Sequence, residues 1–182
     1  STLSRSDIDM SLPAFANSDA VYLGGYFKQD TLFREYPQIC EAILKSGKQV
    51  FLDPGRIPVS YAAEKLSVLK HTLPFVSGYF PNEEELLGVT GVTDLNEALR
   101  LVERMGPKLV AVKRGRAGCV VYTDGKRMDV LGHPVKVLST VGAGDCFNAA
   151  FIMQLPNGSI EDAARYAVAA SALRVSKNHQ PD

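Results

Sequence analysis

The sequence carries no excess of charge: twenty Lys and Arg side chains face twenty Asp and Glu. That removes the electrostatic case for nucleic acid or an anionic membrane as its main partner. No apolar run approaches the ~20 residues needed to cross a bilayer, so no membrane partner is expected. The opening STLSRSDIDM lacks the apolar core of a secretory signal and also lacks an initiator methionine. A cytoplasmic chain, processed or cut from something longer, is the expectation. Cysteine is scarce: Cys40, Cys119 and Cys146 are scattered, odd in number and without metal-like spacing. They read as small buried hydrophobes in a reducing compartment. Cys146 has no histidine near it in sequence to make it a nucleophile. Repeats and low-complexity linkers are absent. What remains is 182 residues, 46% of them hydrophobic, enough for one domain with a real core.

Short apolar runs alternate with helical patterns along the chain. Strands are expected at 20–26, 49–53, 74–80 and 108–115, and a last one in VKVLST at 135–140. Helices are expected in FREYPQICEAILKSG ending at Gly47, in YAAEKLSVLKHTL, in NEEELLGVTG, and in TDLNEALRLVERMG between a Thr93 or Asp94 cap and Gly106. GCVVYTDGKRMDVLG reads as a hairpin turning at Asp124-Gly125. Two closing helices are expected at 145–155 and 159–176, the second capped by Ser159. This alternation implies an α/β fold, doubly wound, with a mostly parallel sheet covered on both faces. In such sheets ligands bind beyond the carboxyl ends of the strands. Four polar segments follow strand ends: Asp53–Arg56, Asn82–Glu85, Lys113–Gly115 and the stretch at 139–151.

That last stretch is STVGAGDCFNAAF. Gly142, Ala143 and Gly144 carry almost no side-chain bulk where a helix begins, so an anion could approach the unpaired helix-start N–H groups closely. Such a nest suits a phosphoryl group gaining negative charge. Asp145 follows at once, placed to take a proton from an attacking hydroxyl. An ordinary turn with a dipole-pairing aspartate accounts for the same letters, and spacing alone leaves both readings open. A dinucleotide fingerprint is excluded, because Phe147 stands where its third glycine would be.

STVGAGDCFNAAF resembles the signature of the ribokinase-like, or PfkB, carbohydrate kinases, D-T-x-G-A-G-D-x-F-x-x-A/G. Other segments resemble the family in order: VYLGGY and FLDPGR at two strand ends, PNEEEL as its N-x-x-E segment, VKRGRAG as its T-x-G-x-x-G loop, and ARYAVAASALRVSK as its closing helix. The resemblance runs from about 18 to 177. It implies a ribokinase-like three-layer sandwich and an ATP- and Mg2+-dependent kinase, a phosphotransferase whose acceptor is an alcohol of a sugar, nucleoside or similar small molecule. By position, Asp145 would be the catalytic base and Gly142, Ala143 and Gly144 the anion hole. Asn82 and Glu85 would organise the metal and phosphate shell through waters. Lys113, Arg114, Gly115, Arg116 and Gly118 would line the nucleotide, with Val168 near the adenine. For Glu85 a solvated helix face shared with Glu83 and Glu84 competes. Lys113 and Arg114 also read as plain strand-end cations, and Arg56 as a surface ion pair.

Two departures stand out. Ser139 replaces the aspartate that in many members helps hold a monovalent cation, and serine brings no charge, which argues against potassium activation. The family's N-terminal half, with its G-G-x-x-x-N segment and β-rich lid, has no counterpart, since no suitable Asn follows Gly24-Gly25. The expectation is therefore a single, partial ribokinase-like domain over 1–182. It would be the nucleotide half of a longer kinase, a short member completed by a partner, or a nucleotide-binding or regulatory module without catalysis. A sheet deprived of strands has an exposed edge, which favours self-association into a homo-oligomer.

Overall fold

The computed structural model describes residues 6, 8, 15–55 and 63–177; Arg56 and the first residues of the YAAEKLSVLKHTL helix lie outside them. The chain forms two compact units. One comprises the chain up to Val110 with Thr123–Gly125, and the other Ala111–Tyr122 with the chain from Lys126 onward.

In the first unit β1 (Ala20–Leu23), β2 (Gln49–Leu52), β3 (Gly78–Tyr79) and the start of β4 (Leu109–Lys113) lie in that order. All pairs are parallel, with Val21 opposite Val50, Phe51 opposite Gly78 and Tyr79 opposite Val110. Val50, Phe51 and Leu52 are buried in succession, the continuous apolar run of a strand covered on both faces. Between the strands run α1 (Tyr36–Lys45), α2 (Ala63–Thr72), α3 (Glu83–Thr90) and α4 (Leu95–Arg104). Helix α4 begins where Asp94 Oδ1 accepts the Glu97 N–H at 2.8 Å, and it buries Ala98, Leu99 and Val102 on one face. Two strands are shorter than the sequence suggests. β1 stops at Leu23, because the N–H groups of Gly25 and Tyr26 both turn to the Asp53 carbonyl. β3 keeps two residues, because Leu73–Phe75 form a 3-10 turn around Pro74, which has no N–H for a ladder.

In the second unit β4 ends beside β5 (Cys119–Thr123), and β6 (Lys126–Val130) follows. Asp124 and Gly125 have φ of 51° and 71°, the paired positive values of the primed turn that joins two antiparallel strands. The hairpin therefore adds antiparallel strands to an otherwise parallel arrangement, and the class is α/β, mostly parallel. Helices α5 (Ala143–Gln154) and α6 (Ile160–Val175) pack on each other. Phe147 and Phe151 stack in the core, and Ala163, Ala164 and Ala167 give a smooth buried stripe on α6. A capping box starts α6: Ser159 Oγ accepts the Asp162 N–H at 3.1 Å and the Asp162 carboxylate accepts the Ser159 N–H at 3.0 Å.

The expected strand at 135–140 is not one. Val135 and Leu138 are exposed, and the N–H groups of Leu138 and Ser139 donate to the Val175 carbonyl. The last carbonyls of a helix have no partner within it. The C-terminal end of α6 therefore takes the donors that a neighbouring strand would have used.

Candidate functional site

The Gly-Ala-Gly stretch forms the start of α5. Gly142 has φ 76°, a left-handed conformation that glycine adopts without strain, and it turns the chain into the helix. The Ala143 N–H donates to Thr140 O at 3.2 Å and the Cys146 N–H to Gly142 O at 2.9 Å. Between them the N–H groups of Gly144 and Asp145 have no carbonyl one turn back within the helix. Asp145 is exposed in this first turn, where its charge complements the helix dipole. Helix α6 fastens the turn, since Ser171 Oγ donates to Ala143 O at 3.2 Å. Ser139 Oγ accepts the Val141 N–H at 3.3 Å.

Lys113 ends β4, and a 3-10 turn at Gly115–Ala117 follows, closed by the Arg114 N–H donating to Gly118 O at 2.9 Å. This loop fits tightly on the chain that leaves β6. A Cβ on Gly118 would lie 2.0 Å from Val130 O, and one on Gly132 2.3 Å from Arg116 O. Only glycine permits the approach. The Arg114 guanidinium lies 3.9 Å from Asp129, whose carboxyl is held below the usual aspartate range by Arg127 and then Arg114.

These pieces enclose a cavity of about 820 Å³ lying wholly in the second unit. Its cationic lining is Lys113 and Arg116, the His133 imidazole lies beside them in the lining, and among the described residues no carboxylate lines it. Ala143 and Gly144 bring the helix N-terminus to it, with the Lys113 ammonium 3.7 Å from where a Gly144 Cβ would sit. Pro134, Val135, Val137, Phe147, Val168 and Val175 form apolar walls. Of the residues singled out from sequence, Lys113, Gly115, Arg116, Gly118, Ala143, Gly144 and Val168 line this cavity. Arg114, Gly142 and Asp145 are their chain neighbours outside the lining. Sequence reasoning missed His133, Pro134, Val135 and Val137, because the stretch from 135 reads as a strand and nothing local signals that these residues wall a cavity.

Asn82 and Glu85 lie in the first unit and form a capping box at the start of α3. Asn82 Oδ1 accepts the Glu85 N–H and Glu85 Oε2 accepts the Asn82 N–H, each at 2.7 Å. Glu85 is 6% exposed, so the solvated helix face belongs to Glu84 and not to Glu85. Among the described residues no three His, Cys, Asp or Glu side chains gather to hold a metal. Mg2+ usually keeps waters and takes one or two carboxylates beside phosphate oxygens, so a metal of that kind needs no such cluster of its own. No helix among the described residues is long and apolar enough to cross a membrane.

The model of the pfkB family carbohydrate kinases matches residues 2–180. A ribokinase of Arabidopsis thaliana is 32% identical over 157 residues, covering 79% of this chain and 40% of the ribokinase. A cytidine kinase of Thermococcus kodakarensis is 31% identical over 115 residues, 62% of this chain and 41% of the relative. Among solved structures, Arabidopsis ribokinase complexed with ribose and ATP superposes with a TM-score of 0.76 at 28% identity, over 98% of this chain and 55% of that one. An E. coli protein of ribokinase II type, solved with ATP and Mg2+, shares the fold with a TM-score of 0.82 at 24% identity, over 91% of this chain and 55% of that one. The chain thus spans about half the length, or less, of these relatives.

Proposed function

We propose, on the premise that the chain belongs to the pfkB family of carbohydrate kinases, that it holds ATP in the second-unit cavity and supplies the base for phosphorylating a small-molecule alcohol. The observation that carries this reading is the composition of the cavity: two cationic side chains, an imidazole, a helix N-terminus, apolar walls and, among the described residues, no lining carboxylate. A nucleoside triphosphate has the matching chemistry, a flat apolar base on a polyanionic tail. The base would lie among Pro134, Val137 and Val168, and the phosphates against Lys113, Arg116 and the turn Gly142–Gly144. The 2′ and 3′ sugar edge would meet the loop Gly115–Gly118.

Each residue then has a physical task. The N–H groups at the start of α5 stabilise charge that develops on the transferred phosphoryl, at no reorganisation cost because the helix already aims them. Asp145 accepts the proton from the acceptor hydroxyl as that oxygen attacks phosphorus. Mg2+, when bound with the nucleotide, neutralises phosphate charge. The acceptor is a sugar or nucleoside hydroxyl, and the nucleotide portion of a larger site is the part assigned to this chain. Ser139 offers no carboxylate, so the reading includes no monovalent-cation requirement.

The test is direct. Mg-ATP should raise the melting temperature, since a ligand bound only by the folded state stabilises it by mass action. Asp145→Asn should keep that rise and abolish turnover of any accepted sugar or nucleoside. Unchanged turnover would remove the base assignment, and no rise in a folded chain would remove the nucleotide site.

A further inference from the structure

Arg174, in the last turn of α6, has no part in the chemistry assigned above. Its Nε and Nη2 lie 3.4 Å and 3.6 Å from where a Cβ on Gly142 would sit, so the guanidinium backs directly onto the turn that starts α5. Its Nη1 is buried and, among the described residues, meets no acceptor. A buried charged donor left without a partner costs free energy that a solvent-exposed arginine would not.

The ordinary explanation is that a cation in the last turn complements the helix C-terminus. That benefit needs no burial, and the terminal Val175 carbonyl is already taken by the Leu138 and Ser139 N–H groups. The surroundings offer a different reason. Lys113 lines the cavity and lies beside Gly144, whereas Arg174 is outside the cavity lining and lies beside Gly142. The three-residue turn is bracketed by two cations and carries the positive end of α5 between them. Asp145, the carboxylate of this first turn, is exposed.

We propose that Arg174 is a positioning residue: its charge beside the Gly142–Gly144 turn raises affinity for the phosphates of a nucleotide, at a cost in stability to the nucleotide-free chain. This rests on the nucleotide reading of the cavity. Phosphate supplies the counter-charge that the protein itself withholds from Arg174, and binding removes the penalty that the free chain carries. The arrangement exchanges stability for function, as functional sites commonly do.

The experiment compares wild type, Arg174→Met and Arg174→Lys in the full chain by calorimetric titration with Mg-ATP and with adenosine, alongside melting without ligand. Methionine keeps an apolar stem and removes the charge. Arg174→Met should bind Mg-ATP about tenfold more weakly, the size expected for one charge near a helix-start phosphate. Its adenosine affinity should match wild type, and its ligand-free melting temperature should equal or exceed wild type. Arg174→Lys should recover most of the Mg-ATP affinity. Equal Mg-ATP affinity in Arg174→Met and wild type overturns the proposal, as does an equal loss for ATP and adenosine, which a merely structural arginine would give. A lower ligand-free melting temperature, or a variant that does not fold, overturns the stability cost. Wild type that binds no Mg-ATP removes the nucleotide reading itself, an outcome visible before any variant is made.

Discussion

Gly142 and Gly144 stand two residues apart in one turn, yet alanine should move stability in opposite directions at the two positions. Gly142 has φ 76°, and a left-handed conformation costs an L-residue about 1–2 kcal/mol. The new Cβ would also lie 3.4 Å from Arg174 Nε, which tightens the fit further. Gly144 is inside α5, and the nearest atom to its added Cβ is Lys113 Nζ at 3.7 Å, ordinary contact. There alanine gains helix propensity, up to about 1 kcal/mol in an interior position and less in a first turn. For a chain of this size about 1 kcal/mol moves the melting temperature by roughly 2–4 °C. Gly142→Ala should therefore melt roughly 2–8 °C below wild type, and Gly144→Ala at or slightly above it, by up to roughly 4 °C. Circular dichroism melts of the nucleotide-free chain read both. Repeated with saturating Mg-ATP, Gly144→Ala should lose part of the ligand-induced rise, because its methyl occupies the approach to the helix-start N–H groups. If Gly142→Ala melts at the wild-type temperature, or both variants move in the same direction, the turn geometry argued here is wrong.

Asn82→Ala removes the acceptor for the Glu85 N–H and should cost about 1 kcal/mol, whereas Asn82→Asp keeps an acceptor and should melt near wild type. Equal melting of all three proteins would show that the capping box carries no stability. Burial pushes the thiols of Cys40 and Cys119 up to about 12, so between the ordinary thiol range and that value the unfolded chain has lost protons that the folded chain retains. Stability should accordingly fall as pH rises above about 9, by up to about 1.4 kcal/mol per pH unit for each thiol. Burial holds the Tyr36 hydroxyl up to about 12 as well, which steepens the fall above about pH 10. A melting temperature that stays flat from pH 8 to 10, or a Cys40→Ala/Cys119→Ala variant that falls as steeply as wild type, would contradict this. Replacing potassium by a tetraalkylammonium ion at constant ionic strength should leave turnover unchanged, and a large loss would show that the oxygen of Ser139 suffices for a cation.

Local features were legible wherever the physics is local. Ser159 was a recognisable cap, and Thr93 or Asp94 a recognisable pair of which Asp94 makes the bond, because a cap bonds to N–H groups two or three residues away. Asp124-Gly125 announced a hairpin because two positive φ values in a row suit few other residues. The Gly-Ala-Gly turn was readable as a helix start because its small residues stand just before a helical pattern, and Gly142 alone takes the positive φ. Glu85 was read less well. Its spacing from Asn82 is that of a capping box, but a run of three glutamates looks like solvated surface until burial separates Glu85 from Glu84.

The sequence by itself determined the alternation of strands and helices, the caps, the hairpin and the family signature, because each depends on hydrogen bonds and side-chain periodicity within a few residues. Tertiary structure alone decided that 135–140 follows the end of α6 instead of joining a sheet. Two chain segments were competing for those N–H groups, and helix-end carbonyls supplied the acceptors. It also decided that Lys113, His133, Gly144 and Val168 wall one cavity, and that Arg174 presses its charge against Gly142. Those meetings join residues tens of positions apart. They depend on how α5 and α6 pack and where the chain leaving β6 runs, and no local pattern encodes either.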